Sequence, residues 1–210
     1  MTPTYTDTDK ELKRERLVTA AAQVFAVRGY RSATMDEIAQ VAGTAKGTLY
    51  LYFKDKEELF YAVFEWLTAQ TLERSSAVDR EDMPAPARLR ALAEGATRFI
   101  AEHREWFPLT LEVWAAGGST DLRKRFASAL REMYAQYRTL IAHIIRTGQQ
   151  RGELRADLDA DALGALLTGA VDGLLLQCWF DPALDPFPLL QAFFDPLLRG
   201  MQATNQGDEL

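Results

Sequence analysis

This chain of 210 residues contains one cysteine, Cys178, and only two histidines, His103 and His143. A lone cysteine excludes an intrachain disulfide and suits a reducing cytoplasm. With so few thiols and imidazoles there is no Cys/His metal spacing, and no phosphate loop or nucleophile elbow appears either. Catalysis needs a converging nucleophile and base or a metal set, so the expectation is no enzyme, no cofactor and no metal. Positive charge is also scarce: 24 Lys+Arg stand against 30 Asp+Glu, a net of −6. Residues 1–60 are neutral, with nine of each sign, and the other 150 carry 15 basic and 21 acidic side chains. An acidic body of this kind does not coat nucleic acid indiscriminately, although one end could still hold it. Long apolar runs are missing too. The most apolar stretch, Ala162 to Phe180, is interrupted by Asp172, Gln177 and three glycines, and reads as a buried helix rather than a membrane span. The polar opening, Met1 to Lys10, does not read as a signal peptide.

The informative stretch is Thr34 to Leu59, TMDEIAQVAGTAKGTLYLYFKDKEEL. Thr34 followed by Glu37 is a capping box, and Ile38, Ala39 and Ala42 recur at helical spacing. Gly43 supplies the left-handed conformation that a sharp turn between helices requires. Leu49 and Phe53, four apart, mark the buried side of the next short helix. Lys46, Gly47, Thr48 and Tyr50 lie on its other side or at its leading end. Asp55 then caps a further helix, with Glu58 three positions on. Upstream, Leu17, Ala20, Ala21, Val24 and Phe25 stripe a first helix from Glu11 to Arg28, closed by Gly29. Two short helices around a tight turn, packed on a third, form a helix-turn-helix reader of duplex DNA.

The remainder is helical nearly throughout. Helices are expected from Asp55 to about Ser75, after Pro84 and Pro86 to about His103, and from Glu105 to Ala116, ended by Gly117-Gly118. Others are expected from Ser119 to about Gln150, from the Asp159 cap to about Phe180, and from Asp185-Pro186 onward, with Pro196 kinking or restarting the last. The fold expectation is all-α, about nine helices. A DNA-binding domain at 10–54 precedes a helical regulatory domain at 55–204, and 1–9 and 205–210 are flexible termini.

On these residues the chain resembles the TetR-type transcriptional regulators. The matching positions are Ala21, Ala22, Phe25, Gly29, Thr34, Ile38, Ala39, Ala42, Gly43, Leu49, Tyr50, Tyr52, Phe53, Lys56, Glu57 and Leu59. Thr44 and Ala45 depart from the usual aliphatic residue and serine. Ala45 cannot cap the recognition helix, so that role falls to Thr44. The resemblance implies that Thr34, Thr44, Tyr52 and Lys56 hold the DNA backbone, while Ala45, Lys46, Gly47, Thr48 and Tyr50 present the groove-facing surface. Tyr50 and Tyr52 could equally be packing residues.

Two helices look made for a second copy of the chain. The stripe Leu163, Leu167, Val171 and Leu174 on one, with Leu190, Phe194 and Leu197 on the other, suits a four-helix homodimer interface. The resemblance implies the same, and with it a palindromic operator. It also implies a small-molecule cavity among the helices of the body. Candidate lining residues are Phe64, Phe99, His103, Trp106, Met133, Tyr137 and Trp179, with Glu112 as a polar anchor. Core packing or, for Glu112, a solvated position is the competing reading of each. The functional expectation is a cytoplasmic, ligand-responsive repressor released from DNA by a small, largely apolar effector. A transcriptional activator using the same reader and a helical protein-interaction module are the alternatives.

Overall fold

A computed structural model describes residues 7–77, 80–114 and 120–203; a few more side chains, among them those of Trp106, Trp114 and Leu122, lie outside the described set. Among the described residues there are nine α-helices: α1 (Asp7–Ser32), α2 (Met35–Val41), α3 (Lys46–Tyr52), α4 (Lys56–Ala77), α5 (Ala85–Glu102), α6 (Phe107–Trp114), α7 (Thr120–Gln150), α8 (Ala160–Phe180) and α9 (Pro186–Met201). A 3-10 turn over Arg104–Trp106 precedes α6. The Gly117-Gly118 stop and residues 205–210 lie outside the described residues.

Local capping sets most of the boundaries. Asp159 accepts from the amides of Asp161 and Ala162 to start α8, and Asp185 accepts from Phe187 to start α9, with Pro186 at the favoured first position. Some expectations are corrected. The first helix begins at Asp7 rather than Glu11. The closure expected at Gly29 is present, since its φ of 71° and ψ of 161° break the helix there, and a further helical turn runs to Ser32. Pro196 lies inside α9 without restarting it. Both Pro196 and Ala192, one turn earlier, are exposed, so water can satisfy the carbonyl that the missing amide leaves.

The chain divides into two compact units, 1–69 with 103–129, and 70–102 with 130–210. This differs from a single cut at 54/55: the first unit recruits α6 and the start of α7 to the reader. Its core joins Leu17, Ala21 and Phe25 of α1, Ile38 of α2, Leu49 of α3, Phe60 and Val63 of α4, and Phe126 of α7. Aromatic rings carry much of it: Phe126 lies 5.5 Å from Phe60 and 5.4 Å from Phe64, both edge to face.

The second unit is built around Leu89 and Leu92 of α5, Ile141, Ile144 and Ile145 of α7, Leu167 of α8, and Leu190, Phe194 and Leu198 of α9. Gly148 of α7 has no room for a side chain, since a Cβ there would meet that of Ala85 at 2.5 Å. The sequence pattern predicts a buried α8, and the structure qualifies this. By length and composition the helix could span a membrane, and only 22% of its most apolar window is buried. Gly164, Leu167, Leu175 and Cys178 face the unit's core, whereas Leu166 and Phe180 are 69% and 72% exposed. It is therefore a core helix with a second apolar face left uncovered in the single chain.

The expected dimer stripe is taken up in part inside the unit. Leu167, Leu190 and Phe194 are fully buried within the unit, and Leu163, Val171, Leu174 and Leu197 pack half-buried against them. A helix that is apolar all round has two such stripes, and periodicity cannot say which one faces inward.

Candidate nucleic-acid interface

Helix α2 starts with Thr34 in extended geometry. Its hydroxyl accepts from the Glu37 amide at 3.2 Å, and the Glu37 carboxylate accepts the Thr34 amide at 3.0 Å. The Thr34 hydroxyl and then the Thr34 amide, both donating to the carboxylate, hold the Glu37 carboxyl below its ordinary pKa, with Arg28 nearby adding to the effect. The Thr34 hydroxyl proton also points to Glu37, at 3.0 Å, so this residue serves the cap first. Gly43 follows with φ 61° and turns the chain, and the Thr44 amide donates back to Ala39 at 3.0 Å. Thr44 does not cap α3. The N-cap is Ala45, and no side chain bonds to the freed amides. The Thr48 amide donates to the Ala45 carbonyl at 2.9 Å, which leaves the amides of Lys46 and Gly47 as those a side chain would have capped.

Helix α3 buries Leu49 completely and turns the rest of its surface outward. Ala45, Lys46, Gly47 and Tyr50 are exposed, and Thr48 and Tyr52 are half-buried. A Cβ on Gly47 would touch nothing within 4 Å, so packing within the chain does not require a glycine there. Leu51, which the sequence pattern did not single out, is 83% exposed. It lies two residues beyond Leu49, about 200° round the helix, and so shares the outermost line with Gly47. Counting from the buried pair Leu49 and Phe53 would have found it.

The cations are less free than the sequence suggests. Lys46 Nζ sits 2.7 Å from Asp36 Oδ2, an exposed pair whose hydrogen bond raises the lysine pKa. Such a pair is weak in water and can exchange for phosphate. Lys56 is different, because its ammonium is engaged within the chain. Its ammonium donates to the carbonyls of Tyr30 (2.7 Å), Arg31 (3.0 Å) and Ala33 (2.9 Å), and lies 4.8 Å from the Tyr30 ring centroid. All three protons thus close the end of α1. The helix carrying Lys56 is capped by Asp55, which accepts from Glu58 at 2.8 Å, while Glu58 reaches back to the Lys54 amide at 2.6 Å.

The candidates for an effector site differ in exposure. Phe64 and Phe99 are buried, the first against Phe126 and the second under the Arg74 guanidinium. His103, Met133, Tyr137 and Trp179 are half-buried, and the side chain of Trp106 lies outside the described residues. Glu112, expected as a polar anchor, has its carboxylate accepting the Tyr30 amide at 2.8 Å. Sequence offered no signal for this, because the two residues are 82 apart. Among the described residues no group of three or more His, Cys, Asp or Glu could hold a metal.

Comparison with known proteins agrees with this geometry. Residues 17–63 match the family of bacterial regulatory proteins named for TetR, and residues 85–199 match the C-terminal domain of BetI-type transcriptional repressors. The chain is 28% identical over 164 residues to the fatty acid metabolism regulator protein of Bacillus subtilis, covering 78% of this chain and 81% of that one. It is 26% identical over 167 residues to the transcriptional repressor BepR of Brucella suis, covering 77% and 78%. Among solved structures it superposes on FadR of Bacillus subtilis in complex with stearoyl-CoA with a TM-score of 0.74, at 26% identity, over 90% of this chain and 99% of that one. A TetR regulator of Chloroflexus aurantiacus shares the fold, with a TM-score of 0.76 at 24% identity over 93% and 98%. The chain belongs to the TetR family of helix-turn-helix transcriptional regulators, DNA-binding proteins rather than enzymes, and it carries the BetI-type C-terminal domain.

Proposed function

We propose that the chain is a ligand-responsive repressor that binds a palindromic operator as a homodimer and leaves it when a small, largely apolar effector occupies the C-terminal domain. The observation that carries the reading is the outward line of α3, where Gly47, Tyr50 and Leu51 are exposed on the second helix of a helix-turn-helix. Gly47 lets the backbone approach base edges, Thr48 and Tyr50 offer hydroxyls, and Leu51 offers an apolar contact to a thymine methyl. Thr34, Thr44, Ala45, Lys46 and Tyr52 contact the phosphates around it. Here the uncapped amides of α3 and a Lys46 released from Asp36 supply the attraction.

The second copy docks on the uncovered apolar face, with Leu166, Gly169, Gly173 and Phe180 of α8 beside Leu189 and Phe193 of α9. Neither Gly169 nor Gly173 has an intrachain neighbour that a Cβ would meet, so both leave room for a partner helix. Two-fold pairing of this face sets the spacing of two α3 helices to about one turn of DNA. An effector that prefers a different spacing lowers operator affinity by its differential affinity for the two states, typically about 1–3 kcal/mol.

The relative of known complex binds stearoyl-CoA, which makes a long-chain acyl thioester the first effector to try. The experiment is fluorescence anisotropy on a duplex enriched from random DNA, with stearoyl-CoA titrated in. Release of the duplex at saturating ligand is expected. Tight binding of stearoyl-CoA without release would refute the coupling.

A further inference from the structure

The end of α1 is held by two charged side chains that belong to none of the three reader helices. At the Gly29 break the Tyr30 amide donates to Glu112 Oε2 at 2.8 Å. The other oxygen, Oε1, lies 2.9 Å from where a Gly29 Cβ would stand, so the carboxylate seats directly against bare backbone. On the carbonyl side of the same elbow, Lys56 takes the oxygens of Tyr30, Arg31 and Ala33. The Tyr30 ring fills the angle between them, 4.6 Å from Phe60 and 6.0 Å from Phe25. Immediately beyond the elbow comes Thr34, the cap of α2.

Glu112 is notable for where it originates. It lies on α6, inside the segment that matches the BetI-type C-terminal domain, yet α6 packs in the same compact unit as the reader. An anion from the regulatory segment therefore satisfies a backbone donor at the base of the DNA-binding helices. A charge-assisted hydrogen bond to a part-buried amide is among the stronger single contacts a side chain can make.

We propose that Glu112 is a positioning residue for DNA recognition, fixing the α1–α2 elbow and with it the angle at which α2 and α3 meet the groove. The proposal rests on the DNA-reading function above. Base contacts require fixed geometry, whereas phosphate attraction tolerates a looser one. Loss of the bond therefore lowers specific binding and leaves nonspecific binding alone, which a purely structural role would not do.

The test uses the full chain with Glu112→Ala and Glu112→Gln. Anisotropy is read on the enriched duplex and on an unrelated duplex of equal length, well below the unfolding temperature. Hydrogen exchange of residues 29–34 is followed alongside. For Glu112→Ala, specific affinity falls about tenfold, the worth of one charged hydrogen bond, while unrelated-duplex affinity is unchanged and residues 29–34 exchange faster. Glu112→Gln keeps a carbonyl acceptor without the charge and falls between Ala and parent. Specific affinity within twofold of parent for Glu112→Ala overturns the proposal. So does an equal loss on both duplexes in both variants. A parent that enriches no duplex at all would instead overturn the DNA reading itself.

Discussion

Replacing Lys56 with Met separates two roles that the sequence cannot. Methionine keeps an unbranched stem of similar length over the Tyr30 ring and removes the three donors. Of the three carbonyls that Lys56 serves, those of Tyr30 and Ala33 are part-buried and that of Arg31 is exposed. Water replaces the bond to the exposed carbonyl at little cost. The two part-buried acceptors lose about 1–1.5 kcal/mol each, for a total of about 2–3 kcal/mol. At about 2–4 °C per kcal/mol for a domain of this size, the melting temperature falls by about 4–12 °C, as read by far-ultraviolet circular dichroism. The salt dependence of DNA binding is the second readout. A lysine on phosphate contributes about 0.9 to the slope of log K against log salt, whereas a lysine bound to carbonyls contributes nothing. The expected result is lower stability with an unchanged slope. Parent-like stability with a slope smaller by about one would refute the assignment and return Lys56 to the DNA backbone.

Three further outcomes follow from the same geometry. If Leu51 touches a thymine methyl, replacing that thymine by uracil weakens the parent about fourfold per half-site, the worth of one buried methyl. Leu51→Ala should then bind the two duplexes equally, and a uracil effect persisting in that variant would contradict the contact. Phe193→Glu places a charge on the uncovered α8/α9 face, so sedimentation should show a monomer and operator affinity should collapse. A dimer that survives this substitution would rule the face out. In the second unit, burial raises the Asp172 pKa above 3.8, against the lowering effect of the Tyr134 hydrogen bond. A carboxyl with a raised folded-state value stabilises fully below the unfolded value and loses that contribution as pH climbs through the folded one. Stability should therefore fall with pH over that window, and Asp172→Asn should abolish the fall in urea titrations. An unaltered pH profile would show that Asp172 is not its source.

The features legible in sequence were those set by neighbours along the chain. Thr34 with Glu37, the positive φ of Gly43, and the caps at Asp159 and Asp185 each need only three or four residues, so pattern reading placed them correctly. Contacts closing over longer separations were not legible. Lys56 reaches 23 to 26 residues back and Glu112 reaches 82, and both looked like ligands for something external. Helix α8 failed for another reason: its apolar residues surround it, and which stripe lies inside depends on α5, α7 and α9. Leu51 was missed because an apolar residue on a short helix is usually taken for core, although its angle from Leu49 excludes that here.

The most direct test of the central claim is selection of binding sites from a random pool of duplexes, followed by sequencing of the bound fraction. One enriched consensus is expected, with two-fold symmetry and half-sites about one helical turn apart. Tyr50→Ala, altered on the exposed surface of α3, should enrich it poorly. A well-folded chain that returns the pool unenriched, or enriches an asymmetric site indifferent to Tyr50, would contradict that claim.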